Sequence, residues 1–301
     1  MKDLIIIGGG VAGMTAALYS LRNNKSVLIL EKESVGGQIA KSPKVENYPT
    51  HKTISGSELA DGLFEQVMEL GADFELEDVK SVVKNDGIFE VTTDYNTHQA
   101  KSVIVATGAK PRMLNLEKEN RFIGNGIYYC AICDGPFFAG EEVTLIGDAN
   151  SALQYALMLS SYCSKVHMFT LFDKFFGETA LQQQVLSKEN IVVYHNCKAV
   201  ALEGDNALEG IAFEKPDGAR ILHKTKAAFV AIGQVPDNKV FKELADIDAS
   251  GYIIADEKCT TKTEGLFVAG DCRTKDVRQV TTAMADGAIA ATNACKYLNS
   301  L

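Results

Sequence analysis

Residues 3–32 read DLIIIGGGVAGMTAALYSLRNNKSVLILEK. An apolar run meets a glycine-rich turn, then a helix-period segment that stops near Asn23 and Asn24, then a second apolar run. That order predicts a buried parallel strand, a tight turn, an amphipathic helix and another parallel strand, the βαβ unit of a nucleotide-binding domain. Gly8, Gly10 and Gly13 stand at GxGxxG spacing directly after LIII, and Glu31 closes the second strand. In such a turn the first glycine permits the bend, the second lets the backbone approach a pyrophosphate, and the third lets helix and strand pack closely. The helix N-terminus attracts the phosphates. An acid at position 31 suits a free ribose 2′-hydroxyl, so FAD or NAD is expected here in preference to NADP.

The same layout returns at residues 143–170, VTLIGDANSALQYALMLSSYCSKVHMFT. Two βαβ units place the chain in the α/β class, with two nucleotide-binding, Rossmann-like, three-layer domains. Alternating segments such as GIFEVTTD, KSVIVATG, the stretch from Ala207 to Phe213 and AAFVAIG read as antiparallel inserts and closing strands. The expected division is 1–112 plus 242–301 for a FAD-binding domain and 113–241 for a second domain, with the C-terminal segment returning to the first.

Composition narrows the function. A chain of 301 residues, 46% hydrophobic, can bury a substantial core, and its length suits two domains. The net charge of -9 argues against a general nucleic-acid binder, which needs a basic face. No stretch approaches the ~20 apolar residues of a membrane span. MKDLIII runs into a strand with no leader pattern, so export is not expected. Cys163, Cys197, Cys259, Cys272 and Cys295 stand alone, which fits buried thiols in a reducing cytoplasm.

The remaining two cysteines form the motif CAICDG, with Cys130 and Cys133 two residues apart and Asp134 adjacent. Such a pair serves as half of a zinc site, as a redox disulfide or as incidental core. Zinc needs a second pair of ligands at suitable spacing, which neither the other cysteines nor the histidines supply. Thiol–disulfide exchange is therefore favoured, with no metal, and Asp134 is placed to give and take the proton of a thiolate.

The motifs combine along the chain. GGGVAG, GGQI (36–39), ENYP (46–49), VATGA (105–109), CAICDG, FVAGDC (267–272) and RQVTTA (278–283) occur in that order, and together they resemble the low-molecular-weight thioredoxin reductases over the whole chain. The resemblance implies a homodimeric flavoprotein of the disulfide reductase type that reduces thioredoxin. It also implies that FAD is held by Gly8, Gly10, Gly13, Glu31, Gly37, Gln38, Asn47, Gly108, Gly270, Asp271, Arg278, Gln279 and Val280. By the same resemblance Cys133 faces the flavin, Cys130 attacks the protein substrate, Asp134 is the acid/base, and a domain rotation exposes the dithiol.

One motif departs from that family. Where its NADPH-binding turn resembles GGGNSA, this chain has Gly147, Asp148, Ala149, Asn150, Ser151 and Ala152, and the basic pair that follows the next strand, with an arginine shortly after, is missing: VHMFTLFDKFF offers His167, then Met168, Phe169 and Thr170. Ala149 adds a methyl group where pyrophosphate would touch backbone, and Asp148 is expected to favour the helix over a phosphate. At an effective dielectric of about 20, like charges ~4 Å apart repel by about 4 kcal/mol, of which screening leaves ~1–2. Each lost charge-assisted hydrogen bond removes roughly another 1.5–3 kcal/mol. At ~1.4 kcal/mol per tenfold, a micromolar site moves toward millimolar.

A flavin and CxxC without a pyridine nucleotide site resemble the ferredoxin-dependent flavin thioredoxin reductases, so ferredoxin is the expected donor. An acidic ferredoxin calls for a basic dock, and Lys41, Lys44, His51, Lys52, Arg273, Lys275 and Arg278 are its candidates. The aromatic group Phe169, Phe172, Phe175 and Phe176 either fills the vacated nucleotide volume or belongs to core or dimer packing. An NAD(P)H-dependent thioredoxin reductase, an oxygen-using dithiol oxidase and a flavin redox sensor remain the competing readings.

Overall fold

The computed structural model describes residues 1–42, 45 and 47–301. Lys44, one of the expected docking cations, and Glu46 of ENYP lie outside the described residues. The chain forms two compact units, Met1–Lys110 with Val235–Leu301 and Pro111–Gln234. Residues 235–241, assigned from the sequence to the second domain, therefore lie in unit 1.

Unit 1 is built on β1 (Lys2–Ile7), α1 (Val11–Arg22), β2 (Val27–Glu31), α2 (Gly56–Glu69), β3 (Asp73–Leu76), β4 (Val79–Asn85), β5 (Ile88–Thr93) and β6 (Thr97–Val105). The strands lie in the order β3-β2-β1-β6-β5-β4, and Leu266–Val268 also pairs with β6. β3, β2, β1 and β6 run parallel, whereas β5 and β4 are an antiparallel extension. β1 is apolar along most of its length because both its faces are covered. Leu4 and Ile6 pack with Ala12, Met14 and Ala16 of α1 and with Ala290 of the C-terminal helix Val280–Ser300. Ile5 and Ile7 face Phe89, Val91 and Phe241 on the other side. Asn24 takes a left-handed φ of 57° just past α1, ending the helix where the asparagines predicted.

Unit 2 repeats the plan. Its parallel five-stranded sheet runs in the order Ile191–Tyr194, Lys165–Phe169, Glu142–Ile146, Ala228–Val230, Ile127–Tyr128. Val143, Leu145, Val166 and Met168 pack with the helix Asn150–Ser160. Ile146 and Phe169 face the antiparallel sheet Lys198–Glu203, Gly210–Glu214, Arg220–Lys224. Both units are thus Rossmann-like and three-layered, an α/β architecture. Among the described residues no helix is long and apolar enough to cross a membrane. The five solitary cysteines are buried free thiols.

Small residues set the helix spacing in unit 1. A Cβ on Gly287 of the C-terminal helix would lie 2.3 Å from the carbonyl oxygen of Ala12, whereas one on Gly62, in the exposed middle of α2, would meet nothing within 4 Å. Gly287→Ala is therefore expected to destabilise the chain by about 1–3 kcal/mol through overpacking. Gly62→Ala should stabilise it by about 0.5–1 kcal/mol through helix propensity. Urea unfolding midpoints of the two variants moving in the same direction would contradict this packing.

Candidate functional site

All the residues expected to hold FAD lie in unit 1. Gly8 has φ +116° and donates its N–H to the Leu30 carbonyl at 2.8 Å, and a Cβ there would sit 2.2 Å from the Ala106 oxygen. A Cβ on Gly13 would be 1.9 Å from the Gly8 oxygen, so only glycine lets α1 start this close to the strand. Gly10 caps α1 with extended backbone and no side-chain cap, leaving its helical N–H groups available. A Cβ on it would meet only the Gly36 oxygen, at 3.9 Å. The Glu31 carboxylate closes the turn by accepting from Gly9 N–H at 2.7 Å and Glu33 N–H at 2.8 Å.

The rest of the set comes from four loops. Gly37 (φ +61°) and Gln38 lead into the short helix Ile39–Lys41, and Gly108 (φ +68°) follows β6 with open space beside it. Asn47 donates to the side-chain oxygen of Gln279 at 3.0 Å, and Gln279 caps the C-terminal helix that begins at Val280. Arg278 lies over the Tyr252 ring at 4.1 Å. Asp271 follows Gly270 (φ +81°), and its Oδ1 is buried without a hydrogen-bond partner among the described residues. Burial raises its pKa, an effect that Lys275 and Arg278 oppose. Open glycine N-caps, a ribose-position acid and an orphaned carboxylate oxygen fit a dinucleotide with a polyol chain, so these residues suit FAD.

The expected dithiol lies in unit 2. Cys130 and Cys133 form a disulfide with Cα atoms 5.3 Å apart. Cys130 caps the short helix Ala131–Asp134, and its Sγ accepts the Cys133 N–H at 3.2 Å. That N–H stabilises a thiolate on Cys130 once the bond is reduced. The intervening Ile132 is 41% exposed. Asp134 is buried, and desolvation pushes its pKa up to about 6. Burial raises the pKa of Tyr128 and Tyr155, and the charge of Asp134 adds to it, a proximity that the sequence did not announce. Among the described residues no His/Cys/Asp/Glu group could hold a metal.

The second glycine turn keeps its backbone and changes its chemistry. Gly147 N–H donates to Phe169 O at 3.1 Å, as Gly8 does to Leu30, and Ala149 caps its helix at φ −104°, ψ −178° against −79°, −179° for Gly10. Register places Phe169 opposite Ile146 as Leu30 lies opposite Ile7, so Thr170 occupies the position of Glu31. Thr170 is buried, and its hydroxyl is committed to Phe172 O at 2.7 Å and His195 Nδ1 at 2.8 Å. Beyond it Leu171, Phe172 and Phe176 are about half exposed, and Lys174 lies over the Phe176 ring. No guanidinium lies between residues 171 and 178.

Asp148 lies at the helix N-terminus, directly before the N-cap Ala149, and partial burial raises its pKa. Two expectations need correction. The phenylalanines do not form one cluster. Phe169 stacks on Phe213 at 3.8 Å and Phe175 packs edge-on to His195 in the core, while Phe172 and Phe176 pair at the surface. Arg273 and Lys275 are not docking cations, because both side chains are 8% exposed and bind Asp286.

Comparison with known proteins places this geometry. The pyridine nucleotide-disulphide oxidoreductase family matches residues 2–287. A thioredoxin reductase of Treponema pallidum is 37% identical over 302 residues, 99% of this chain and 98% of that protein. A 34.2 kDa protein in the rubredoxin operon of Clostridium pasteurianum is 35% identical over 298 residues, 98% of this chain and 97% of its own. The crystal structure of thioredoxin reductase from Streptococcus pyogenes superposes with a TM-score of 0.94 at 34% identity, covering 100% of this chain and 99% of that one.

Asp134 gives a pH test. It keeps its proton to about 6 when folded against an ordinary 3.8, so the folded state binds more protons between those values. Its contribution to stability therefore falls as pH rises through that window and is lost above it. Asp134→Asn is expected to gain roughly 2–3 kcal/mol at neutral pH, at 1.36 kcal/mol per unit, with the gain vanishing by about pH 4. Urea unfolding at several pH values checks this, and a gain independent of pH would refute it.

Proposed function

The chain belongs to the pyridine nucleotide-disulphide oxidoreductase family, and on that premise we propose that it is a flavin-dependent thioredoxin reductase supplied by reduced ferredoxin instead of NADPH. The observation that carries the donor assignment is the second glycine turn. Its fold is intact, yet Ala149, Asp148, Thr170, Leu171 and Phe172 stand where a phosphorylated coenzyme needs open backbone and cations. The opposing reading, NAD(P)H as donor, draws on that preserved backbone and on relatives named thioredoxin reductase.

FAD is assigned to the glycine-turn and loop residues of unit 1, and when bound it carries two electrons from donor to disulfide. The protein's own part is proton and sulfur chemistry. Two electrons and two protons open the Cys130–Cys133 bond, Asp134 acting as proton donor because its raised pKa keeps it partly protonated near neutrality. Cys130, with the Cys133 N–H on its sulfur, then attacks the thioredoxin disulfide as thiolate. One substrate sulfur leaves as a thiolate and takes a proton. Cys133 attacks the mixed disulfide, which restores the Cys130–Cys133 bond and releases the second substrate thiol. Asp134 accepts the proton that Cys133 gives up. A homodimer is assigned with this reading.

Anaerobic mixing of the purified flavoprotein with thioredoxin and, in turn, NADPH, NADH or reduced ferredoxin tests the donor. Thiols should appear with ferredoxin alone. Flavin bleaching within seconds of adding NADPH, followed by thiol release, would overturn the donor assignment. Cys130→Ser should abolish thiol release with flavin still bound, and Asp134→Asn should slow it by roughly 10²–10⁴-fold.

A further inference from the structure

Two cations and one carboxylate are buried together behind the Gly270–Cys272 turn. Asp286 of the C-terminal helix is 4% exposed. Its Oδ1 accepts from Arg273 Nη2 at 2.8 Å, and its Oδ2 from Arg273 Nε at 2.9 Å, Lys275 Nζ at 2.9 Å and Gly270 N–H at 3.1 Å. The last bond is to backbone. It fixes the residue before Asp271 at a left-handed φ of +81°, where a Cβ would lie 2.8 Å from Ala12 Cβ. Asp271 emerges from this anchored turn with Oδ1 buried and without a partner among the described residues. A buried carboxylate oxygen with no donor is costly unless a ligand supplies one.

We propose that Asp286 is a positioning residue for the flavin: by clamping Gly270 N–H, Arg273 and Lys275 it holds the turn in the shape that leaves the Asp271 carboxylate free to accept a hydroxyl of FAD. The inference rests on the reading that FAD occupies unit 1 and not on the identity of the electron donor. Asp286 touches no cofactor atom and acts through the turn. The cations contribute rigidity, since a bidentate guanidinium and an ammonium on one carboxylate leave little freedom for either chain segment. Lys275 also faces Asp271 and favours its ionised, accepting form.

A double-mutant cycle on FAD affinity, measured by titrating apoprotein with FAD, isolates this coupling. In the wild-type background Asp286→Asn is expected to weaken FAD binding by about tenfold or more, the scale of one lost charge-assisted hydrogen bond. In an Asp271→Asn background the same change should cost less than about threefold, because the group through which it acts has gone. Lys275→Met keeps the Arg273–Asp286 pair. It serves as the second variant if Asp286→Asn does not fold, with a loss of about threefold that likewise disappears in the Asp271→Asn background. Visible circular dichroism of the bound flavin should change in Asp286→Asn and recover toward wild type in Asp286→Glu. Equal losses in both backgrounds, or no loss in either, overturn the proposal. Failure of the wild-type chain to bind FAD at all would instead sink the reading on which it rests.

Discussion

The fold depends on backbone touching backbone where the first strand hands over to the first helix. A Cβ on Gly13 would lie 1.9 Å from the Gly8 oxygen, one on Gly8 would lie 2.2 Å from Ala106 O, and one on Gly287 would lie 2.3 Å from Ala12 O. Two of these approaches close on α1 and the third on the turn before it, at distances that no other residue allows. The helix cannot slide, because ridges of small residues leave only one seat for the C-terminal helix against it. Ala12, Ala16, Ala290, Ala291 and Ala294 continue that seam. The functional consequence is positional: the N-terminus of α1 and that of the C-terminal helix are both set by the same close approaches. The loops that supply Gly37, Asn47, Gly108 and Asp271 are arranged around elements that cannot drift.

The second unit shows how little of this constraint is chemical. Gly147 keeps φ +153° and would strike Ala231 O at 2.4 Å if it bore a side chain, as Gly8 would strike Ala106 O. Residues that only face a ligand are free to differ between the two units, and here they do. Ala149 copies the backbone of Gly10 with an added methyl group, and Thr170 turns its hydroxyl inward to His195. The fold therefore tolerates substitution of the ligand-facing positions of this turn at small cost to itself, since the turn's own hydrogen bonds and packing are intact. Phe172 and Phe176 are left about half exposed beside that turn.

The parts legible in the sequence were those governed by local periodicity or by one-residue stereochemistry. VLILE forms a strand over the predicted residues, Asn24 stops α1, and the paired cysteines form a disulfide. What could not be read depended on partners far along the chain. RTK at 273–275 resembles a solvated basic loop, yet Arg273 and Lys275 are drawn inside by Asp286, a lone acid in the alanine-rich C-terminal helix. The domain edge at 235–241 lies in the first unit because Phe241 packs there with Phe89 and Val91, far along the chain. Tyr128 and Tyr155, on different elements of unit 2, come within electrostatic reach of Asp134 only once the unit has folded.

Withdrawal of Arg273 and Lys275 sharpens the electrostatics of any encounter with an acidic donor. On a chain of net charge -9, long-range attraction to another anion is unfavourable, so docking has to be local. Of the remaining candidate cations, Lys41, His51 and Lys52 are exposed, and Arg278 is half-buried against Tyr252. The exposed groups flank Asn47, which is tied to Gln279 at the head of the C-terminal helix, so they lie on the same unit 1 loops as the proposed flavin residues. A dock made of a few exposed lysines is screened over about 8–10 Å at physiological salt. Its contribution belongs in the association rate and falls with ionic strength, whereas affinity for the flavin, set by buried groups, does not. The two contributions to turnover therefore separate by their response to salt.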